Sequence, residues 1–182
     1  MPLEFTASYL ADVRPLFAQY KRGAEAAIAQ VADPDLTRTL DPEMNSIAQI
    51  VKHLSGNMQS RWTGFPEADG EKPDRDRDAE FEAPPATRPE MMAMWEAGWS
   101  CLFAALDRLS DADLARETFI RGERHSVLQA INRQIAHYSY HLGQIVLLAK
   151  HLGAAHWQPL TVPRGASERF NADVRAGRAS QR

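Results

Sequence analysis

A chain of 182 residues, 44% hydrophobic and 25% charged, has the balance of a globular protein and enough apolar material to bury a core, which excludes disordered and fibrous classes. Its net charge is -3 and its basic residues form no block, which argues against a nucleic-acid or anionic-membrane partner. The single cysteine, Cys101, closes no internal disulfide, so a reducing compartment fits; set in an apolar helical stretch, it reads as a small core residue and not a nucleophile. The opening run MPLEFTASYLADVRP has early acids and no continuous apolar stretch, so neither a signal peptide nor a membrane span is expected, and the protein is placed in the cytoplasm.

Leu10, Val13, Phe17, Tyr20, Ala24, Ala27 and Val31 recur at helical spacing and predict a long first helix, stopped near Asp33-Pro34. Ser46 and Gln49 have capping-box spacing, and Ile47, Ile50, Leu54 and Met58 share one face of a second helix running to about Trp62 and Thr63. His53 falls beside that apolar stripe together with Ser46, Asn57 and Ser60, a narrow polar flank turned to the bundle. The stretch 64–87, GFPEADGEKPDRDRDAEFEAPPAT, is too rich in proline and alternating charge for a packed element, so a long connection is expected, either a solvated crossover or a lid.

Thr87 and Glu90 form a second capping-box pair, and Met91, Met94, Trp95, Leu102, Leu106 and Leu109 continue the apolar spacing of a third helix. In TFIRGERHSV, Gly122 separates two brief alternating runs, which suggests a small hairpin. Ser126 and Gln129 cap a fourth helix from Val127 to Leu152, stopped by Gly153. The pattern predicts an all-α, up-down four-helix bundle with a long connection between helices two and three. One domain over 1–171 and a flexible tail over 172–182 complete it.

The chemistry lies on helix four. His137 and His141 are one turn apart and project from the same face, close enough to share a metal ion, although such pairs also arise in helices without one. Gln134 and Gln144 share their stripe and are candidates to hydrogen-bond the rings or a bound water. Position 138 is tyrosine where the zinc-protease motif requires glutamate, which disfavours peptidase chemistry. His53 supplies a third ligand if helices two and four face one another, and three imidazoles leave positions open for an exogenous molecule. His125, in a charged turn, and His151 and His156, flanking the end of the last helix, read as bystanders.

The run RQIAHYSYHLGQI, with SIAQIVKHLSGNMQSRW upstream, resembles the DinB/YfiT-like superfamily, which places one histidine on helix two and a His-x-x-x-His pair on helix four. NSIAQIVKHLSGNMQSRWTGF, DGEK, RDAEF, WEAGW and PRGAS are similar to one bacterial branch known only as a domain of unknown function, from the first helix to about Asn171. The resemblance implies a four-helix bundle, usually a homodimer, with nickel or zinc on His53, His137 and His141. Characterised relatives include transferases and isomerases that use low-molecular-weight thiols such as bacillithiol or mycothiol. It therefore implies a metal-dependent enzyme acting on a small molecule, such as a thiol-dependent S-transferase. For such an enzyme Asn57, Arg61 and Gln134 are candidates to orient substrate, Arg61 being equally a candidate for a surface or interface ion pair, and Arg75, Arg77 and Asp78 are either a closure over the pocket or, more simply, solvated loop charges. The alternative is a dimeric stress-response protein that binds metal or a small ligand without turnover, favoured by the lack of an obvious general acid or base beside the histidines.

Overall fold

The computed structural model describes residues 8–154 and 156–180, and the four expected long helices are there: α1 (Tyr9–Ile28), α2 (Ile47–Trp62), α3 (Arg88–Leu106) and α4 (Val127–Leu152). Their starts are set by short-range chemistry. Ser46, Thr87 and Ser126 each accept the backbone N–H of the residue three positions on, and Gln49, Glu90 and Gln129 return the bond to the cap, so both free donors are satisfied. α4 stops where Gly153 donates its N–H to Ala149 O at 2.8 Å. α1 is shorter than its apolar spacing suggests. The chain leaves it at Ile28, and Pro34 sits in a 3-10 turn at Asp33–Asp35, where a missing N–H breaks no helical ladder.

α2 packs most extensively on α3 and α1 on α4, and a further contact between α2 and α4 brings the histidine-bearing faces together. Phe17, Trp62, Trp95, Trp99 and Tyr138 fill the centre, with edge-on ring pairs such as Phe17–Trp62 at 6.3 Å and Trp95–Trp99 at 5.4 Å. Gly98 permits the close approach of α3 to α2, since a Cβ there would lie 3.0 Å from Ser55 Cα. A fifth helix, α5 (Ser167–Arg175), lies in the C-terminal stretch where the sequence reading named none.

The small hairpin is also present. β1 (Glu117–Ile120) pairs antiparallel with β2 (Glu123–Ser126), turning through Arg121 and Gly122 at φ 58° and 74°. No helix among the described residues is long and apolar enough to cross a membrane.

The stretch 64–87 departs from expectation. It has no regular element but it is packed: Phe65, Gly70 and Glu80 are buried, and so is the Arg75 side chain. Its backbone is held by α2 side chains, with Gln49 Nε2 donating to Phe81 O at 2.6 Å, Lys52 Nζ to Ala79 O at 2.5 Å and Ser60 Oγ to Gly70 O at 2.9 Å. It is tied to the hairpin by Gly70 N–H on Phe119 O at 2.7 Å, and by the Asp69 carboxylate, which accepts from Arg121 and Gly122 N–H at 2.8 and 2.7 Å. The polar flank of α2 takes the place of water, so a strongly polar sequence docks without a hydrophobic pattern.

Candidate metal centre

His53 reaches the centre from the middle of α2, and His137 and His141 from one face of α4. His53 Nε2 lies 3.3 Å from His137 Nε2, which lies 3.2 Å from His141 Nε2; ligand atoms of all three fall within 4.8 Å of one another. The other ring nitrogens fix which lone pairs face inward. Glu80 Oε2 accepts from His53 Nδ1 at 2.8 Å and Gln144 Oε1 from His141 Nδ1 at 2.7 Å, so both Nε2 atoms carry bare lone pairs. Phe81 stacks on the His53 ring, with centroids 4.5 Å apart, and holds its plane.

Protonation is a poor way to relieve this crowding. Burial, helped by His141, His53, Arg61 and Arg133, drives His137 down to about 3, and burial also holds His141 below its ordinary value despite the bond to Gln144. A cation among the nitrogens is the better solution. Nitrogens about 2.05 Å from a tetrahedral zinc would stand about 3.3 Å apart, close to the two separations from His137 Nε2, and three imidazoles are a donor set that suits a borderline divalent metal.

No fourth histidine, cysteine or carboxylate joins the group among the described residues. Glu80 is the nearest carboxylate to His53, but its oxygens are taken by His53 and by a two-pronged pair with Arg75, Nε to Oε1 at 2.7 Å and Nη2 to Oε2 at 2.9 Å. Burial pushes the Glu80 carboxyl up, yet the hydrogen bonds from His53 and Arg75 and the Arg75 charge outweigh it, leaving the group ionised. Gly56 makes room for it, because a Cβ there would collide with the Glu80 carboxylate.

A cavity of about 630 Å³ opens in front of the histidines, and Asn57, Arg61, Gln134 and Gln144 all line it. Asn57 Oδ1 accepts from Tyr138 OH at 3.2 Å, which in turn accepts from Trp62 Nε1 at 3.0 Å; burial keeps this phenol neutral. Arg61 is buried and bonds Gly70 O and, at 2.8 Å, Glu71, so it is a wall residue and not a loose surface ion pair. Gln134 bonds neither imidazole; its Oε1 is unpartnered, as are Arg61 Nε and Thr118 Oγ1, and all three residues border a separate void of about 10 Å³. Arg75 and Arg77 also line the main cavity, whereas Asp78 is exposed. His125, His151 and His156 stand apart from the cluster.

The sequence reading missed Glu80, Phe81, Arg121 and Arg133. The one local signal was Gly56, a glycine next to the polar flank of a strongly helical segment and one turn after His53.

A family described as "Protein of unknown function (DUF1572)" matches residues 4–166. Among solved structures, a DinB-like protein from Bacillus subtilis aligns with a TM-score of 0.61 at 14% identity, covering 81% of this chain and 96% of that one. A DinB-like protein from Bacillus cereus aligns with a TM-score of 0.62 at 15% identity, covering 87% of this chain and 98% of that one. At such identities the likeness establishes the fold. No curated protein matches.

Proposed function

Since the chain belongs to the DUF1572 family and carries a DinB-like fold, we propose that it is a divalent-metal-dependent enzyme whose ion, nickel or zinc, is held by Nε2 of His53, His137 and His141. The carrying observation is the convergence of three imidazole Nε2 atoms beside a cavity, two of them with bare lone pairs, with a buried carboxylate orienting the first. A small molecule enters at the open positions. When bound, the ion supplies Lewis acidity and lowers the pKa of a thiol brought to it, the chemistry of a thiol-dependent transferase.

The protein's own contribution is orientation. Glu80 and Phe81 hold His53, Gln144 holds His141, and Asn57, pinned by Tyr138, presents its amide to the cavity. Arg61 and Arg75 form a fixed cationic wall. No carboxylate lines the cavity among the described residues, so proton transfer falls to the incoming molecule or to water. That same feature favours the second reading, a binder of metal or small ligand without turnover. The lone cysteine supports a reducing, cytoplasmic setting, and the family resemblance supports a homodimer.

Elemental analysis of protein purified without a histidine tag is expected to give one nickel or zinc per chain. His137→Ala is expected to abolish uptake while helical content holds, since His137 is only partly buried and the apolar core of the helices is extensive without it. No metal in the wild-type protein, even after added nickel or zinc, would sink the proposal. Enzyme and binder separate on a cobalt-loaded sample: a thiol that enters the site shifts its visible spectrum, and silence across a panel of thiols removes the transferase reading.

A further inference from the structure

The cavity is lined by Arg61, Arg75, Arg77, Arg121 and Arg133, and by no aspartate or glutamate among the described residues. These side chains come from α2, the 64–87 connection, the hairpin turn and α4, so four separate parts of the fold converge on one sign of charge. Behind the wall, Glu71 is shared among Arg61 at 2.8 Å, Arg75 at 3.1 Å and Arg121 at 3.4 Å, while Glu80 serves Arg75. Two carboxylates thus answer three guanidiniums. Arg77 has only the exposed Asp78 at 3.8 Å and rests on the Phe81 ring at 5.4 Å; Arg133 pairs with no carboxylate among the described residues.

In a chain of net charge -3, such a concentration of arginine in one concavity runs against the overall sign and focuses a positive potential where a ligand would sit. Guanidinium is also the group best shaped to bind carboxylate or phosphate oxygens in pairs.

We infer that the cavity takes an acidic small molecule, a dicarboxylate or a phosphate monoester, whose anionic oxygens are bound by Arg133, Arg77 and Arg121. Arg61 and Arg75, engaged with Glu71 and Glu80, hold the wall against which it docks. The inference rests on the reading above in placing the reactive end of that molecule at the histidines, whereas the anion site itself stands on the arginines. A volume of about 630 Å³ suits a metabolite-sized ligand and not a polymer.

The test is calorimetric titration of the tag-free protein, metal content being measured on the same sample. The probes are succinate, inorganic phosphate, neutral succinamide and cationic putrescine in a low-salt buffer. Saturable binding of one dianion per chain is expected, weakening with added salt, with no binding of succinamide or putrescine. A preference for succinate or for phosphate tells carboxylate from phosphoryl recognition. Arg133→Glu is expected to weaken binding at least about tenfold and Arg77→Gln about threefold, with helical content and metal content unchanged.

Three results would overturn the inference: no dianion binding below about 10 mM in either the metal-loaded or the metal-free protein, equal binding of succinamide, or full affinity in Arg133→Glu. Dianion binding by a protein that takes up no metal would support the anion site and refute the metal reading, so the two fail separately.

Discussion

The two histidine-bearing helices and the 64–87 stretch that braces them keep their shapes by opposite means. α2 and α4 hold theirs by burying apolar side chains such as Ile50, Leu54, Ile131 and Ile145, a force without direction and indifferent to charge. The stretch holds its shape by hydrogen bonds to α2 and the hairpin and by the Glu71 and Glu80 ion pairs, each of which requires one geometry. The helices therefore place the histidines to within a turn, and the polar stretch sets how the His53 ring is aimed. The first region should control whether the protein folds, and the second how well the site works.

The largest expected effect falls on the first region. Leu102→Ala empties a fully buried position on α3, the helix that packs on α2 and carries no site residue, and so weakens the packing that holds the first region; it is expected to cost about 2–5 kcal/mol in denaturant unfolding. Metal affinity well below the melting temperature should stay within about threefold of wild type. A large loss of affinity would erase the division between the two regions. Glu80→Gln reverses the pattern: it keeps an acceptor for His53 but removes the charge that Arg75 neutralises. Competition with a chelator is expected to show metal binding about 10–100-fold weaker, with the helices intact. Unchanged affinity would mean that the carboxylate braces the chain without tuning the ligand.

This division also explains what was legible in the sequence. The caps at Ser46, Thr87 and Ser126 and the Gly153 stop depend on residues within one turn, so they could be read directly. His137 and His141 were linked by helical spacing, and His53 by its place beside the apolar stripe of α2. Glu80 was not legible, because in RDRDAEFEAP it is one acid among several and nothing local distinguishes the one that is buried. Its environment is supplied by His53, 27 residues earlier, and by the space over Gly56. Arg133 and Arg121 were equally hidden: helix spacing assigns a direction to Arg133, but only the folded chain brings it to the same cavity as Arg77 and Arg121. Gln134 illustrates the converse, for sharing a stripe with the histidines did not give it a bond to them.

Gly56→Ala sharpens the comparison because it acts on both regions with opposite signs. Alanine improves helix propensity by up to about 1 kcal/mol, favouring α2. Its Cβ meets the Glu80 carboxylate, with Cδ only 2.9 Å away, so the stretch must shift outward. Global stability is therefore expected to change by less than about 1 kcal/mol while metal affinity falls by up to about tenfold, read by the same chelator competition. Equal loss of stability and affinity would show that the stretch and the helix unfold together.

The smallest effect expected is on acidification, and its sign follows from the carboxylates. At Glu71 burial raises the pKa, but the hydrogen bond from Arg61 and the charges of Arg75, Arg61 and Arg121 outweigh it; at Asp69 the backbone N–H groups of Glu71, Gly122 and Arg121 do the same. Glu80 is also held below its ordinary value. A carboxyl depressed in the folded state contributes stability that is full above its unfolded pKa, about 3.9 for aspartate and 4.3 for glutamate, and is lost as pH falls through the folded value. All three act on 64–87, whereas the apolar packing of α3 against α2 loses nothing to protonation. Amide protection, corrected for intrinsic exchange, should therefore begin to fall in 64–87 below about pH 4 while α3 stays protected, and raising the pH from 6 to 8 should leave both unchanged. If α3 lost protection at the same pH as 64–87, the polar stretch would be part of the cooperative core, and the ring of His53 would be aimed by the whole fold instead of by one docked segment.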